Sequence, residues 1–318
     1  MLTVVTGASG HVGNTLVRAL LARGRRVRVL IHHNAASLDG LDVERVLGDV
    51  GDPSSLKCAF EGAAVVYHLA AVISIEDNCW GEIEPVNVQG VRNMVSACLE
   101  TGVKRLVHFS SIHALTQHPF DIPVDETRPY AGESHPPYDR SKAAGEKAVR
   151  RGVEQGLNAV IVAPTGIIGP NDYQPSHTGQ LLLSLAKGKL PALVEGGFDW
   201  VDVRDVVAGA MLAEHKAPPG AKYILSGRWA SVAELAALVS QATGVKAPPF
   251  VCPMWLARAG APFMTAYEKL YHRRPLYTRA SMRAVCSNPQ TSHALATKEL
   301  GYEPRPLAET INDTIGWF

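Results

Sequence analysis

The chain has 318 residues, enough for one large α/β unit or for a core domain with a smaller appended one, and in either case for a sizeable buried core. Hydrophobic residues at 46%, charged residues at 19% and a net charge of +1 exclude a dedicated nucleic-acid binder, which needs a strong basic excess, and point to a small-molecule substrate as the partner. The cysteines at 58, 79, 98, 252 and 286 are odd in number and form no C-x-x-C pair, so neither a zinc site nor a disulfide framework is expected, and a reducing cytoplasm fits.

The opening MLTVVTGASG runs directly into an apolar strand pattern, without the charged start and cleavage site of a signal peptide. Short apolar runs at 2–5, 27–31, 64–69, 106–109 and 159–162 predict buried strands. Between them the 3.6-residue periodicity predicts helices over 13–23, 87–101 and 138–155, the last two stopping at Gly102 and Gly156. Repeated strand–helix alternation predicts a parallel, doubly wound sheet. After Pro164 the rhythm changes: 166–178 is an aperiodic loop, and a strand–helix–strand unit at 198–227 is expected to rejoin the sheet. Beyond it, helical stretches separated by proline-rich turns predict a smaller lid, the clearest being 231–243, with Ser231 as N-cap and Glu234 completing a capping box. The apolar stretch 250–266 is broken by Pro253, Arg258, Gly260 and Pro262, so no membrane span is expected.

Two motifs carry chemistry. Gly7, Gly10 and Gly13 lie between the first strand and its helix, in Val4-Val5-Thr6-Gly7-Ala8-Ser9-Gly10-His11-Val12-Gly13. Gly7 permits the tight turn, Gly10 lets the backbone approach a pyrophosphate, Gly13 allows close helix–strand packing, and the helix start offers free N–H groups. In Tyr138-Asp139-Arg140-Ser141-Lys142 a tyrosine and a lysine stand four apart, so both face one groove. A phenol is a poor base at neutral pH, but a neighbouring ammonium favours its ionised form, and Ser110-Ser111 at the end of the fourth strand adds a donor for a reacting oxygen.

In these residues the sequence resembles the extended short-chain dehydrogenases/reductases, whose fingerprint is T-G-x-x-G-x-x-G. Further pieces match in order: Asp49-Val50, His68-Leu69-Ala70-Ala71, Asn87-Val88-Gln89-Gly90, Val203-Arg204-Asp205-Val206 and Leu300-Gly301-Tyr302-Glu303-Pro304. The resemblance implies a Rossmann doubly wound parallel sheet over residues 1–165, rejoined by 198–228, and a smaller, mostly helical substrate-binding domain from 166–197 and 229–318. It implies an NAD(P)-dependent enzyme in which Tyr138 exchanges the substrate proton, Lys142 tunes that phenol and holds the nicotinamide ribose, Ser111 binds the substrate oxygen and Asn87 steadies a relay water. The implied cofactor-binding residues are Gly7, Ser9, Gly10, His11, Val12, Gly13, His32, Asp49, Val50, Leu69, Ala70, Ala71, Tyr138, Lys142, Pro164, Gly166 and Ile167. Related enzymes pair through the two long helices, so a homodimer using Val91, Val95, Ala144 and Ala148 is expected, with packing of these residues on the chain's own sheet as the alternative.

Ile31-His32-His33-Asn34 carries no carboxylate where an NAD site normally has one, and Asp39 and Asp42 come later, so NADP is the expected cofactor, with NAD possible. Arg23, Arg25, Arg26 and Arg28 are read as offsetting a helix dipole and staying solvated. Ser111-Ile112-His113-Ala114-Leu115 and Ala163-Pro164-Thr165-Gly166-Ile167 depart from the V-Y-G and R-P-x-N stretches of sugar-nucleotide members and resemble the dihydroflavonol-reductase and hydroxysteroid-dehydrogenase branch. That implies a small apolar or cyclic carbonyl or secondary alcohol as substrate; Met254, Trp255, Leu256, Phe263, Met264 and Tyr267 are candidates for the wall of its pocket, with a role as lid core as the alternative. Arg273, Arg274, Arg279 and Arg283 keep a nucleotide-sugar epimerase or dehydratase open as an alternative, and a non-catalytic dinucleotide sensor is a second. Glu76, Asp77 and Glu82 are candidates for the substrate mouth, with a solvated loop as the alternative. The histidines lack metal-ligand spacing, so no metal is expected.

Overall fold

An apolar run without polar interruption needs cover on both faces, and the first strand, β1 (Leu2–Thr6), is buried from its second residue onward. Its alternate side chains serve two cores: Val5 faces α1 (His11–Ala22) and α7 (Val203–Lys216), whereas Val4 faces α2 (Pro53–Phe60) and α4 (Val91–Thr101). The molecule, a computed structural model, is described over residues 1–33, 35–73, 79–257, 259–260, 282 and 285–318.

The central sheet has seven parallel strands. Besides β1 these are β2 (Arg26–Ile31), β3 (Glu44–Leu47), β4 (Val65–His68), β5 (Arg105–Phe109), β6 (Ala159–Pro164) and β10 (Lys222–Leu225). Their order is β10-β6-β5-β4-β1-β2-β3, so the winding reverses between β1 and β4 and opens a crevice at the carboxyl ends, where ligands of such sheets bind. The sequence reading lacks β3 because this edge strand is mostly exposed and mixes charged with apolar residues.

Helix α5 (Pro137–Glu154) starts on a proline at its first turn and packs against α4. A Cβ on Gly152 would lie 2.6 Å from Val95 Cγ1, so the helix contact depends on the missing side chain. Val91, Val95 and Ala148 are thereby buried inside a single chain, at 3%, 6% and 7% exposure. Of the four residues that the sequence reading offers either to a contact between two copies or to the chain's own sheet, these three are covered within one chain, and Ala144 is half-buried.

The unit at 198–227 divides. Its helix and second strand join the central sheet as α7 and β10, but its first strand, β9 (Gly197–Asp202), pairs with β7 (Gly166–Ile168) and β11 (Arg228–Ser231) in a separate three-stranded sheet. Gly166 makes the β7–β9 approach possible, since a Cβ there would meet Phe198 Cδ1 at 2.4 Å. Around this sheet α6 (His177–Ala186), α8 (Val232–Thr243) and a C-terminal helix (Leu307–Trp317) bury Leu182, Phe198, Trp200, Leu235 and Ile311. Ser231 caps α8 by accepting from Glu234 N at 3.0 Å, while the Glu234 carboxylate pairs with Arg228.

Of the arginines after α1, Arg23 and Arg26 are exposed, but Arg25 and Arg28 differ from expectation. Arg25 is paired with Glu214 at 2.8 Å with 11% of its side chain exposed, and Arg28 pairs with Glu44 at 2.9 Å and donates to Ala59 O and Glu61 O. Their acceptors lie 16 to 189 positions along the chain, beyond the reach of a local dipole argument.

Candidate active site

The crevice is built from the loop after each strand. At the end of β1 the buried Thr6 hydroxyl accepts from Leu69 N and Ala70 N, both at 3.2 Å, and bonds His68 Nδ1 at 2.8 Å, which fixes Leu69, Ala70 and Ala71 beside the glycine turn. Gly7 sits at φ +68, and a Cβ there would lie 2.7 Å from Ala70 N; a Cβ on Gly13 would lie 2.1 Å from Gly7 O. Gly10 is exposed and has no such neighbour closer than 3.5 Å, so it forms the open side of the cradle. No side chain caps α1, whose first-turn N–H groups therefore face the opening. Ser9 is held through its carbonyl by Ser37 Oγ at 3.0 Å. His11 turns away from the turn: its Nε2 lies 3.0 Å from Pro170 O, and burial holds its imidazole below the ordinary range against the opposing pull of Asp172. These features fit a pyrophosphate held by backbone alone, with His11 and Val12 contributing N–H groups.

At the far end of the crevice His32 Nε2 meets Asp49 Oδ2 at 2.8 Å, and both side chains are about half exposed. This carboxylate beside the end of β2 is invisible in the sequence around 31–34, because β2 and the turn after β3 are neighbours only in space. Val50 is buried against the Cβ-free flank of Gly90, and Asn93 Nδ2 donates to its carbonyl at 3.0 Å.

Asn87 lies in a π-helical turn (Pro85–Gly90) between α3 (Trp80–Glu84) and α4. Its Oδ1 accepts from Val72 N at 2.8 Å, and its Nδ2 donates to Val72 O at 2.9 Å and to Ser141 Oγ at 3.1 Å. Both ends of the amide are engaged, which makes Asn87 a clamp between the loop after β4 and helix α5. Glu82 is exposed on α3, while Glu76 and Asp77 lie outside the described residues.

The loop after β5 brings Ser111 to the first turn of α5. Ser111 is 8% exposed and its Oγ accepts from His113 N at 3.2 Å, capping a short 3-10 turn (Ile112–Ala114). Tyr138 and Lys142 follow one another on the inner face of α5. Burial pushes the Tyr138 phenol up to about 12, with a Ser111 hydrogen bond pulling it down and Asp139 pushing it further up. Burial pushes the Lys142 ammonium down to about 8 against the pull of Glu146, and its Nζ donates to Phe109 O at 3.2 Å. Of the three residues chosen from the sequence, Ser111 and Tyr138 are joined by a hydrogen bond, and Lys142 stands one helical turn beyond Tyr138 with its ammonium on the carbonyl at the end of β5. Pro164 ends β6 and Gly166–Ile168 begins the second sheet, with Thr165 between them donating to Asp199 Oδ1 at 2.6 Å.

Four residues were missed. His113 packs its ring 5.9 Å from Tyr138 and 5.8 Å from Phe198. Thr6 organises the glycine turn, and Asp199, pushed up to about 6 by burial, anchors Thr165. Glu146 is fully buried; its position four after Lys142 gives the shared helix face, whereas its burial depends on partners distant in sequence. Among the described residues no group of three or more side chains could hold a metal, and no helix is long and apolar enough to cross a membrane. On the lid side Trp255 and Leu256 are exposed and Met254 is half-buried; Phe263, Met264, Tyr267, Arg273, Arg274, Arg279 and Arg283 lie outside the described residues.

The sequence profile of the NAD dependent epimerase/dehydratase family matches residues 3–225, which span the glycine cradle, the Asn87 clamp and the tyrosine–lysine helix. The chain belongs to the NAD dependent epimerase/dehydratase family. Within it, the chain is 36% identical to sterol demethylase protein B of Methylococcus capsulatus, covering 100% of this chain and 98% of that protein. It is 30% identical to a putative dihydroflavonol 4-reductase of Synechocystis, covering 99% and 93%. The crystal structure of gox2253 superposes with a TM-score of 0.86 at 36% identity, covering 100% of this chain and 97% of that one. This family member is accordingly an NAD(P)-dependent enzyme of the extended short-chain dehydrogenase/reductase type.

Proposed function

We propose that the protein transfers a hydride between a nicotinamide dinucleotide and a carbonyl or secondary alcohol of a small apolar or cyclic substrate, with Tyr138 as the proton donor and acceptor. The observation that carries this reading is the convergence of Ser111, Tyr138 and Lys142 at the carboxyl edge of the sheet, with phenol and ammonium both displaced by burial. The glycine turn, Asp49, Val50 and the segment Leu69–Ala71 would hold the dinucleotide, which supplies the hydride when bound.

In the reducing direction the substrate oxygen sits between Ser111 Oγ and the Tyr138 hydroxyl. Ser111 donates as negative charge develops, and Tyr138, whose proton is retained by burial, delivers it. Lys142, charged below about 8, offsets the phenolate left behind. In the oxidising direction the same groups run in reverse. The relatives named as a putative dihydroflavonol 4-reductase and a 3-beta-hydroxysteroid dehydrogenase of Mycolicibacterium neoaurum favour cyclic substrates. NADP(H) is proposed to bind at least as tightly as NAD(H), since 31–33 carry no carboxylate; Asp49 beside His32 keeps the margin small. The test is net oxidation of NADPH or NADH by the purified protein with alicyclic or aromatic ketones, run beside UDP-sugars. Stoichiometric oxidation with a ketone is expected. Turnover of a UDP-sugar without net cofactor oxidation would replace this reading with an epimerase or dehydratase.

A further inference from the structure

Behind the tyrosine–lysine pair lies a buried charged cluster that the chemistry above does not use. Tyr138, Lys142 and Glu146 form one row along α5, each a turn beyond the last. Glu146 is 0% exposed; one carboxylate oxygen accepts from Ser110 Oγ and the other from Lys222 Nζ of β10 at 2.9 Å. Ser110 adjoins Ser111, and the carbonyl that receives Lys142 belongs to Phe109, so the carboxylate grips the strand end that carries both catalytic partners.

The charge balance is uneven. One buried carboxylate serves two buried ammonium groups, Lys142 at 7% and Lys222 at 5% exposure. On the Lys222 side stand the Tyr130 ring, 5.3 Å from Nζ, Arg150, whose Nε donates to the Tyr130 hydroxyl at 2.7 Å, and Glu126, which accepts from Ile224 N at 2.8 Å. On the Lys142 side, besides Tyr138 on the same helix, stand His68 and His108, imidazoles that burial and the lysine charge keep neutral. A carboxylate held for packing alone needs one cation. Here the second cation is the one beside the reacting phenol.

We propose that Glu146 and Lys222 together form a positioning device that sets the charge of Lys142, Glu146 supplying the counter-charge and Lys222 limiting it. The inference rests on the reading of Tyr138 and Lys142 as the catalytic pair. Removing either partner then has an opposite consequence. Without the Glu146 charge Lys142 loses its proton more readily; without Lys222 the whole carboxylate charge acts on Lys142, which holds its proton longer.

The experiment is the pH profile of kcat for ketone reduction, with KM and dinucleotide affinity measured alongside. Glu146→Gln is expected to move the high-pH limb down by about one unit, roughly a tenfold change in the lysine's protonation equilibrium, with substrate KM unchanged. Lys222→Met is expected to move the limb up, and Glu146→Asp to restore it toward the wild-type position. Should Lys222→Met fail to fold, the contrast between Glu146→Gln and Glu146→Asp still decides. A limb that stays in place in Glu146→Gln, or one that moves the same way in both variants, overturns the inference. Tyr138→Phe in the same series separates the two levels: full activity there overturns the catalytic reading itself, whereas an inactive Tyr138→Phe beside an unshifted Glu146→Gln overturns only the device.

Discussion

The two ends of the central sheet both bury ionisable groups, and they do so to opposite effect. Toward the amino ends, Arg25 pairs with Glu214, the Tyr67 hydroxyl donates to the same carboxylate, and Arg105 donates to Ala213 O at 2.7 Å and Ala217 O at 2.8 Å. Arg105 Nε is left without a hydrogen-bond partner, but the other contacts run to the end of α7, so the network ties that helix to the sheet. Toward the carboxyl ends, Lys142 donates to a single backbone oxygen, and His68 Nε2 and both nitrogens of His108 have no hydrogen-bond partner among the described residues. Burial moves groups from their ordinary titration range at both ends, Tyr67 and Arg105 as well as Lys142 and the histidines. Toward the carboxyl ends, however, the moved groups are left with few hydrogen-bond partners among the described residues and stand beside Tyr138, as in a place kept for chemistry.

The comparison breaks most sharply at Lys142. Lys142→Ala is expected to lower turnover by roughly 10²-fold or more and also to weaken dinucleotide binding, while the melting temperature holds or rises because a desolvated charge is removed. Steady-state kinetics and cofactor titration check this, and a variant that only unfolds would place Lys142 with the amino-end group. At that other end Glu214→Gln is expected to cost about 3–5 kcal/mol, since it leaves the Arg25 guanidinium without its buried partner, yet to leave kcat of the folded protein unchanged. Denaturant titration beside activity decides.

How much of this contrast is readable before folding depends on how local each part is. The glycine turn, the apolar strands and the Tyr138–Lys142 step are legible because each is set by neighbours within a few residues. Glu146 stands on the same helix face but reads as a solvated carboxylate, because its partners Ser110 and Lys222 lie 36 and 76 positions away. The Asp49 carboxylate at His32, the Glu214 partner of Arg25 and the division of 198–227 between two sheets are non-local in the same sense. The stripe of Val91, Val95 and Ala148 shows the converse: periodicity reports that a face is covered but not by what.

The histidines sharpen the comparison through pH. Burial, with the Lys142 charge beside it, pushes His68 down to about 3, and burial with the charges of His68 and Lys142 lowers His108 as well. The unfolded chain takes up protons on both below 6.5 while the folded chain resists it, so stability falls as pH drops from about 6.5 toward 3, by about 1.4 kcal/mol per unit for His68, with His108 adding a loss of the same sign. Melting temperatures measured across that window test the sign. His108→Phe, which removes an unpartnered ring, is expected to flatten the slope; an unchanged slope would show that the pair does not titrate with unfolding. The smallest effect is expected at the adenine end, where Asp49→Asn removes the carboxylate at 2.8 Å from His32 and raises NADP(H) affinity several-fold relative to NAD(H), as read by parallel titrations. Equal affinities before and after would remove Asp49 from cofactor choice.

The most direct test of the carboxyl-end account is turnover by Tyr138→Phe on a ketone that the wild-type protein reduces, measured with its dinucleotide affinity. The substitution removes one hydroxyl from a half-buried ring. The account predicts a loss of roughly 10²-fold or more in kcat with cofactor binding nearly unchanged. Full turnover in a variant that still binds dinucleotide would contradict it.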